Sequence, residues 1–144
     1  MNIKSSYNKD FHAWALRNAE LIRQGRLADI DAEHIAEELE DMGKSEARRL
    51  ESHLTVLIAH LLKWQAQPER RGKSWENTIK EQRRQVEKVL RQNPSLKARL
   101  DDIYYDAYEN AIYQAYAETG IDDQIFRELP PFSYENAMNP EFFE

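Results

Sequence analysis

Two stretches hold the residue types that chemistry needs. Glu33 to Asp41, reading EHIAEELED, sets His34, Glu37, Glu38 and Asp41 within two turns of a helix. Such nitrogen and oxygen donors suit a hard or borderline cation once a second helix adds ligands. His60 to Trp75, reading HLLKWQAQPERRGKSW, gathers His60, Trp64, Trp75 and the cations Lys63, Arg70, Arg71 and Lys73 around one Pro-Glu turn. With no cysteine in the chain, thiol nucleophiles, disulfides, Fe–S clusters and Cys-ligated zinc are excluded. Di-iron bundles of the ferritin kind use Glu-x-x-His, but His12, His34, His53 and His60 follow Lys9, Asp31, Leu50 and Leu57 at that spacing. No Ser-His-Asp set and no carboxylate pair is singled out by its spacing, so we assign no catalytic residue, no metal and no cofactor.

Each stretch also has a plain structural reading. Charge on the solvent side of a helix is the ordinary pattern, and the acidic run fits it. His53 and His60 share a helix face with Leu57 and Trp64, as boundary histidines bonded to a carbonyl or carboxylate do. Trp64 and Trp75 flank the Pro68 turn and suit the plug where two helices meet. Arg70 and Arg71 lie where a helix ending near Gln67 leaves carbonyls without partners. The segment therefore reads first as a joint. Its rival is an anion site made of Arg70, Arg71, Lys73 and a helix start at Ser74.

The elements that must position these groups are helices. Asp10 is a helix N-cap ahead of Phe11, Trp14, Ala15, Ala19 and Ile22, and Gly25 is its stop. Asp31 caps a second start with Ile35, Leu39 and Met42, and the spacing resumes past Gly43 with Leu50, Leu54, Leu57, Leu61 and Trp64. One long helix, kinked at Gly43, fits the register better than two. A third helix capped at Ser74 buries Trp75, Ile79, Val86 and Leu90. A fourth starts at Asn93-Pro94, carries Leu96, Leu100, Ile103, Ala107 and Ala111, and closes at Gly120. Residues 1–9 read as loosely held. The tail 121–144 reads as irregular, with at most one helical turn after Ser133, and its Phe132, Phe142 and Phe143 pack on the bundle. The expected architecture is all-α: one domain over 1–144, an antiparallel bundle of about four main helices.

Net charge is −6, unevenly spread: residues 63–91 carry 9 basic and 4 acidic groups, residues 92–144 carry 3 and 11. Lys80, Arg84, Lys88 and Arg91 fall on one outer face of the third helix, a stripe that suits nucleic acid. The last helix carries five tyrosines. Tyr105 and Tyr116, with Glu109 between them, point away from its apolar stripe, and exposed tyrosine favours protein contacts. No run of about 18 apolar residues occurs, so the chain reads as a cytoplasmic protein without a membrane partner.

Six pieces of the chain carry a family resemblance: DFHAW at 10–14, EHIAEELEDMGKSEARRLESHL at 33–54, HLLKWQAQPERRGKSW, EQRRQ at 81–85, NPSLKARL at 93–100 and ETG at 118–120. Together they resemble the bacterial helical proteins grouped as domain of unknown function family 29. The resemblance implies an all-helical fold and transfers no activity or catalytic residue. The expected function is a protein-binding module acting on another chain or a second copy of this one; the alternative is nucleic-acid or phosphate-ligand binding through segment 63–91.

Overall fold

A computed structural model describes residues 2–142. Phe143, placed in the tail packing above, lies outside the described residues. The protein is all-α, with no strand among the described residues. The chain divides into two compact units, Met1–Lys44 and Ser45–Glu144. No helix among the described residues is long and apolar enough to cross a membrane.

The first unit contains α1 (Ile3–Lys9), α2 (Phe11–Arg23) and the start of α3 (Ala32–Ala66). Residues 3–9 are helical rather than loosely held, because Asn2 caps them through its side chain and Asp10 closes them through its amide. Asp10 then caps α2 at the Ala13 amide. The buried line of α2 is Trp14, Asn18 and Leu21. The expected stripe is corrected at Phe11 and Ile22, which are 51% and 44% exposed. Sequence reading passed over the polar Asn18, and its turn of the helix decides the buried side. Gly25 ends the segment with φ +71°, left-handed backbone that a side chain disfavours. Leu39 and Met42, expected in a core, are 62% and 65% exposed.

α3 is a single helix of 35 residues that passes through Gly43, about 52 Å long at 1.5 Å per residue. From Leu50 onward it supplies the second unit's core. Leu50, Leu54, Leu57, Ile58, Leu61 and Leu62 are fully buried, each contributing roughly 1.5–3 kcal/mol. They meet Ile79, Val86, Val89 and Leu90 of α4 (Lys73–Gln92) and the Ala107, Ala111, Ala115 row of α5 (Leu100–Thr119). That row is small at steps of four, which lets helices approach closely.

Three expected boundaries move. The Pro68–Arg70 3₁₀ turn runs through extended Arg71 and Gly72, so α4 begins at Lys73 with Gly72 as N-cap and Ser74 inside its first turn. The Asn93 side chain turns to Glu46 (2.9 Å) and the Val89 carbonyl instead of capping. Pro94–Arg99 is therefore a 3₁₀ turn and α5 starts at Leu100. In the tail, Asp122 caps a helix that sequence reading lacked, α6 (Asp123–Glu128), and Ser133 caps the single turn α7 (Tyr134–Met138). Phe132 is buried as expected, while Phe142 is 46% exposed.

These burials set an order of costs. Leu57→Ala removes a fully buried side chain and is expected to destabilise by about 2–5 kcal/mol in urea unfolding. Trp64, half-buried, is expected to cost about 1–3 kcal/mol as alanine. A Trp64→Ala loss larger than that of Leu57→Ala would place the indole, not the leucine row, at the centre of this unit.

Candidate functional site

The Trp64–Trp75 segment is built as a joint. Arg71 Nε donates to the Trp64 carbonyl at 2.7 Å, taking one of the acceptors that α3 leaves open, and its guanidinium lies 5.2 Å from the Trp64 ring centre. Lys63, nearly buried, pairs with Glu118 at 2.5 Å and sits 5.3 Å from the Trp75 ring centre. Burial pushes the Glu118 carboxyl up, but the Lys63 ammonium outweighs it and the group stays below its usual range. The four residues of the expected anion site have these surroundings. Arg71 is committed to the joint, Lys73 is 91% exposed at its side chain and 3.8 Å from Glu76, Arg70 is exposed, and Ser74 does not cap.

Of the two boundary histidines, His60 meets the expected backbone carbonyl, Nδ1 lying 2.9 Å from Val56 O, whereas His53 Nδ1 lies 2.8 Å from a side-chain amide oxygen, Gln82 Oε1, in place of a carbonyl of the backbone or a carboxylate. Lys80, Arg84, Lys88 and Arg91 are all exposed on α4. Arg84 is held by Glu81 through two bonds of 2.9 and 3.1 Å, which leaves Lys80, Lys88 and Arg91 without an ion pair among the described residues. Arg83 faces elsewhere and fixes the tail, donating to the carbonyls of Ala137 (2.9 Å) and Asn139 (3.3 Å).

The tyrosine face of α5 opens onto a cleft of about 500 Å³ between α5, α6 and tail residues 129–132. Its floor is apolar: Tyr104, Tyr108, Ile112, Phe126 and Phe132. Tyr104 donates to the Phe132 carbonyl at 2.7 Å, and the Tyr108 and Phe132 rings lie 5.2 Å apart. Burial raises the pKa of both tyrosines, so both are neutral hydroxyls. At the edge, Arg127 bridges Glu109 (3.1 Å) and Asp123 (3.3 Å). Measured from buried Ile103 at 100° per residue, Tyr105 and Tyr116 sit at about 200° and 220°. Tyr105 is 67% exposed at the cleft's lip, and Tyr116, 48% exposed, lies farther along the same face outside the lining. Of the expected interface, Tyr105 and Glu109 thus meet at one opening. Sequence reasoning missed Phe126 and Arg127, although the spacing from a capping Asp122 to Phe126 signals a short amphipathic helix.

A separate polar cluster holds the first unit together. Asp31, fully buried, accepts from Trp14 Nε1 at 2.9 Å, lies 2.6 Å from His34 Nδ1, and takes the His34 amide at 3.4 Å. Asn18 completes it, accepting from the Asp31 amide at 2.8 Å and donating to the Trp14 carbonyl at 2.9 Å. The Tyr7 ring stacks on His34 at 4.0 Å, and its hydroxyl donates to Glu38; that hydrogen bond, with burial and the carboxylate's charge behind it, raises the phenol to about 12. His34 and Glu38 are thus engaged within the unit. Among the described residues no group of three His, Asp or Glu is placed to hold a metal.

Burial alone would raise the Asp31 carboxyl, but the bonds from His34 and Trp14 outweigh it and hold the group below its usual value. A depressed carboxyl stabilises the fold above its ordinary pKa and loses that contribution as pH falls through the folded value. Asp31→Asn is expected to cost about 1.5–3 kcal/mol at pH 7, which speeds amide exchange in α2 roughly 10- to 100-fold. The gap from the parent protein should close as pH falls below the ordinary 3.8. Unchanged exchange at pH 7 would show that the carboxylate contributes nothing.

No curated protein and no solved structure matches the chain. The sequence profile described as Domain of unknown function DUF29 matches residues 6–143, a span that takes in the polar cluster, the joint and the cleft alike. On that match the chain belongs to the DUF29 family.

Proposed function

We propose that the protein is a binding module whose α5–α6 cleft takes a segment of another protein: one apolar or aromatic anchor flanked by basic residues. The observation that carries this reading is an apolar, aromatic floor of about 500 Å³ standing open beside an exposed tyrosine. A pocket of that size accommodates one or two large side chains. Tyrosine covers contact area at low entropic cost. The flank is acidic: Asp101, Asp102 and Asp106 are exposed and form no ion pair among the described residues, which favours a cationic partner.

The test uses two synthetic hexapeptides, Phe-Leu between two Lys on each side and the same core between Glu residues, followed by amide chemical shifts. The basic peptide should bind with a Kd of about 0.1–1 mM and weaken with salt. Its shifts should centre on Tyr105, Phe126 and Phe132, and Tyr105→Lys with Glu109→Lys should weaken it at least about tenfold. Equal binding of both peptides, or shifts confined to α4, would overturn the cleft as the working surface.

A second reading follows from the unpaired Lys80, Lys88 and Arg91, which suit nucleic-acid phosphates. With three available cations, retention of a single-stranded RNA 20-mer should be weak at about 50 mM salt and lost by about 200 mM. Changing the three to Gln should abolish it. Sequence-selective binding that survives the higher salt would make this reading the first.

A further inference from the structure

We infer that Arg127 occupies, within its own chain, the place that a ligand's basic residue takes in the α5–α6 cleft, so that binding exchanges one cation for another on Glu109. The inference rests on the cleft reading and names what sets that site's affinity and charge selectivity. Among the described residues that line the cleft, the charged ones are Asp101, Glu109 and Arg127. Asp101 and Glu109 stand four residues before and after Tyr105, about one helical turn each way. Asp101 is exposed and forms no ion pair among the described residues, whereas Glu109 is held by Arg127. One carboxylate is ready for a cation and its counterpart is already taken.

Three features make the hold on Glu109 exchangeable. Arg127 Nη1 reaches both Glu109 oxygens, at 3.1 and 3.3 Å, yet the two side chains are 32% and 40% exposed. An ion pair so open to water contributes little net stability, and another cation displaces it at small cost. The guanidinium also has a second carboxylate, because Nε donates to Asp123 of the same helix at 3.3 Å. On leaving Glu109 it stays paired there, and no charge is stranded. The third feature is the anchoring of α6. Phe126 is 1% exposed in the core of the second unit and Asp122 caps the helix through its side chain, so α6 is held by more than the contact to Glu109.

The result is a competition with a definite sign. Two carboxylates and one guanidinium leave the lining at −1, and without the guanidinium it stands at −2. The second state favours a basic ligand and disfavours an acidic one. An incoming lysine must outcompete a guanidinium already in contact, which lowers the apparent affinity for every basic ligand by the stability of the Arg127–Glu109 pair. Arg127 thus tunes the cleft through charge, and its effect passes through Glu109.

Titration of the full chain with the Lys-flanked and Glu-flanked Phe-Leu hexapeptides tests this, in the parent protein and its variants. Arg127→Gln should bind the Lys-flanked peptide about two- to fivefold tighter, the range that an exposed ion pair allows. Arg127→Lys, which keeps the charge, should stay within about twofold of the parent. Adding Glu109→Gln to Arg127→Gln should remove the gain, because the freed carboxylate is its source. The Glu-flanked peptide should gain nothing from Arg127→Gln. In the parent, the Arg127 Nε–H resonance should shift as the Lys-flanked peptide saturates, a readout that needs no substitution. An Arg127→Gln variant that binds the basic peptide no tighter, or an Arg127 resonance that stays still at saturation, would overturn the inference while leaving the cleft reading intact. Equal tightening of both peptides would overturn it too, since that is what simple loosening of α6 produces. A parent protein that binds neither peptide would sink the cleft reading and this inference together.

Discussion

Most of a helix's stability in a folded protein comes from what packs on it rather than from propensity, and the 35-residue α3 is held at its two ends and along its second half. Its ends are secured by different means. At the start, Asp31 combines an N-cap with a buried acceptor for the Trp14 indole, so one carboxylate fixes the helix origin and ties α2 to it. At the finish, Arg71 occupies the Trp64 carbonyl and covers the indole face, so the chain can turn through Pro68 without leaving that acceptor bare. Between these points the leucine row from Leu50 to Leu62 provides the apolar area that the second unit is built on.

Much of this was legible because it repeats. Leu50, Leu54, Leu57 and Leu61 recur at steps of four and three, and the structure buries every one. Punctuation was legible too where it acts through backbone shape, as at Gly25 and Gly120, both with positive φ. Reading failed where periodicity and burial part company. Ile35, Leu39 and Met42 continue the apolar pattern, yet Leu39 and Met42 face solvent, since spacing reports which residues share a face and not whether anything covers it. It failed again where a polar side chain chose a tertiary partner over a local one. Asn93 reads as a cap, but Glu46, 47 positions earlier, takes its amide and shifts the start of α5.

The cleft was half legible for the same reason. Tyr105 and Glu109 follow from helix geometry and a list of exposed types. The opposite wall depends on how the tail runs, and that is decided by bonds with no local signature: Tyr104 to the Phe132 carbonyl, and Arg83 to the carbonyls of Ala137 and Asn139. Each ties a side chain on a long helix to backbone in the tail. Carbonyl acceptors are available at every residue, so the sequence of the tail does not reveal which will be used.

Charge is consumed unevenly across the second unit, and this shapes what its surface offers. Residues 63–91 are strongly basic in sequence, yet Arg71 serves the joint, Arg83 the tail, Arg84 its neighbour Glu81, and the buried Lys63 the more exposed Glu118. Lys63 and Arg84 are paired with carboxylates, which weakens the field they present, while Arg71 and Arg83 keep their charge but hold donors on backbone carbonyls. Among the described residues of α5, Glu109 is paired with Arg127 and Glu118 with Lys63, while Asp101, Asp102 and Asp106 stay exposed without an ion pair. The formal charge of a segment thus overstates the basic surface and understates the relative weight of the acidic one. Uncommitted carboxylates act within the roughly 8–10 Å over which salt leaves their field intact, and one of them, Asp101, lines the apolar cleft itself.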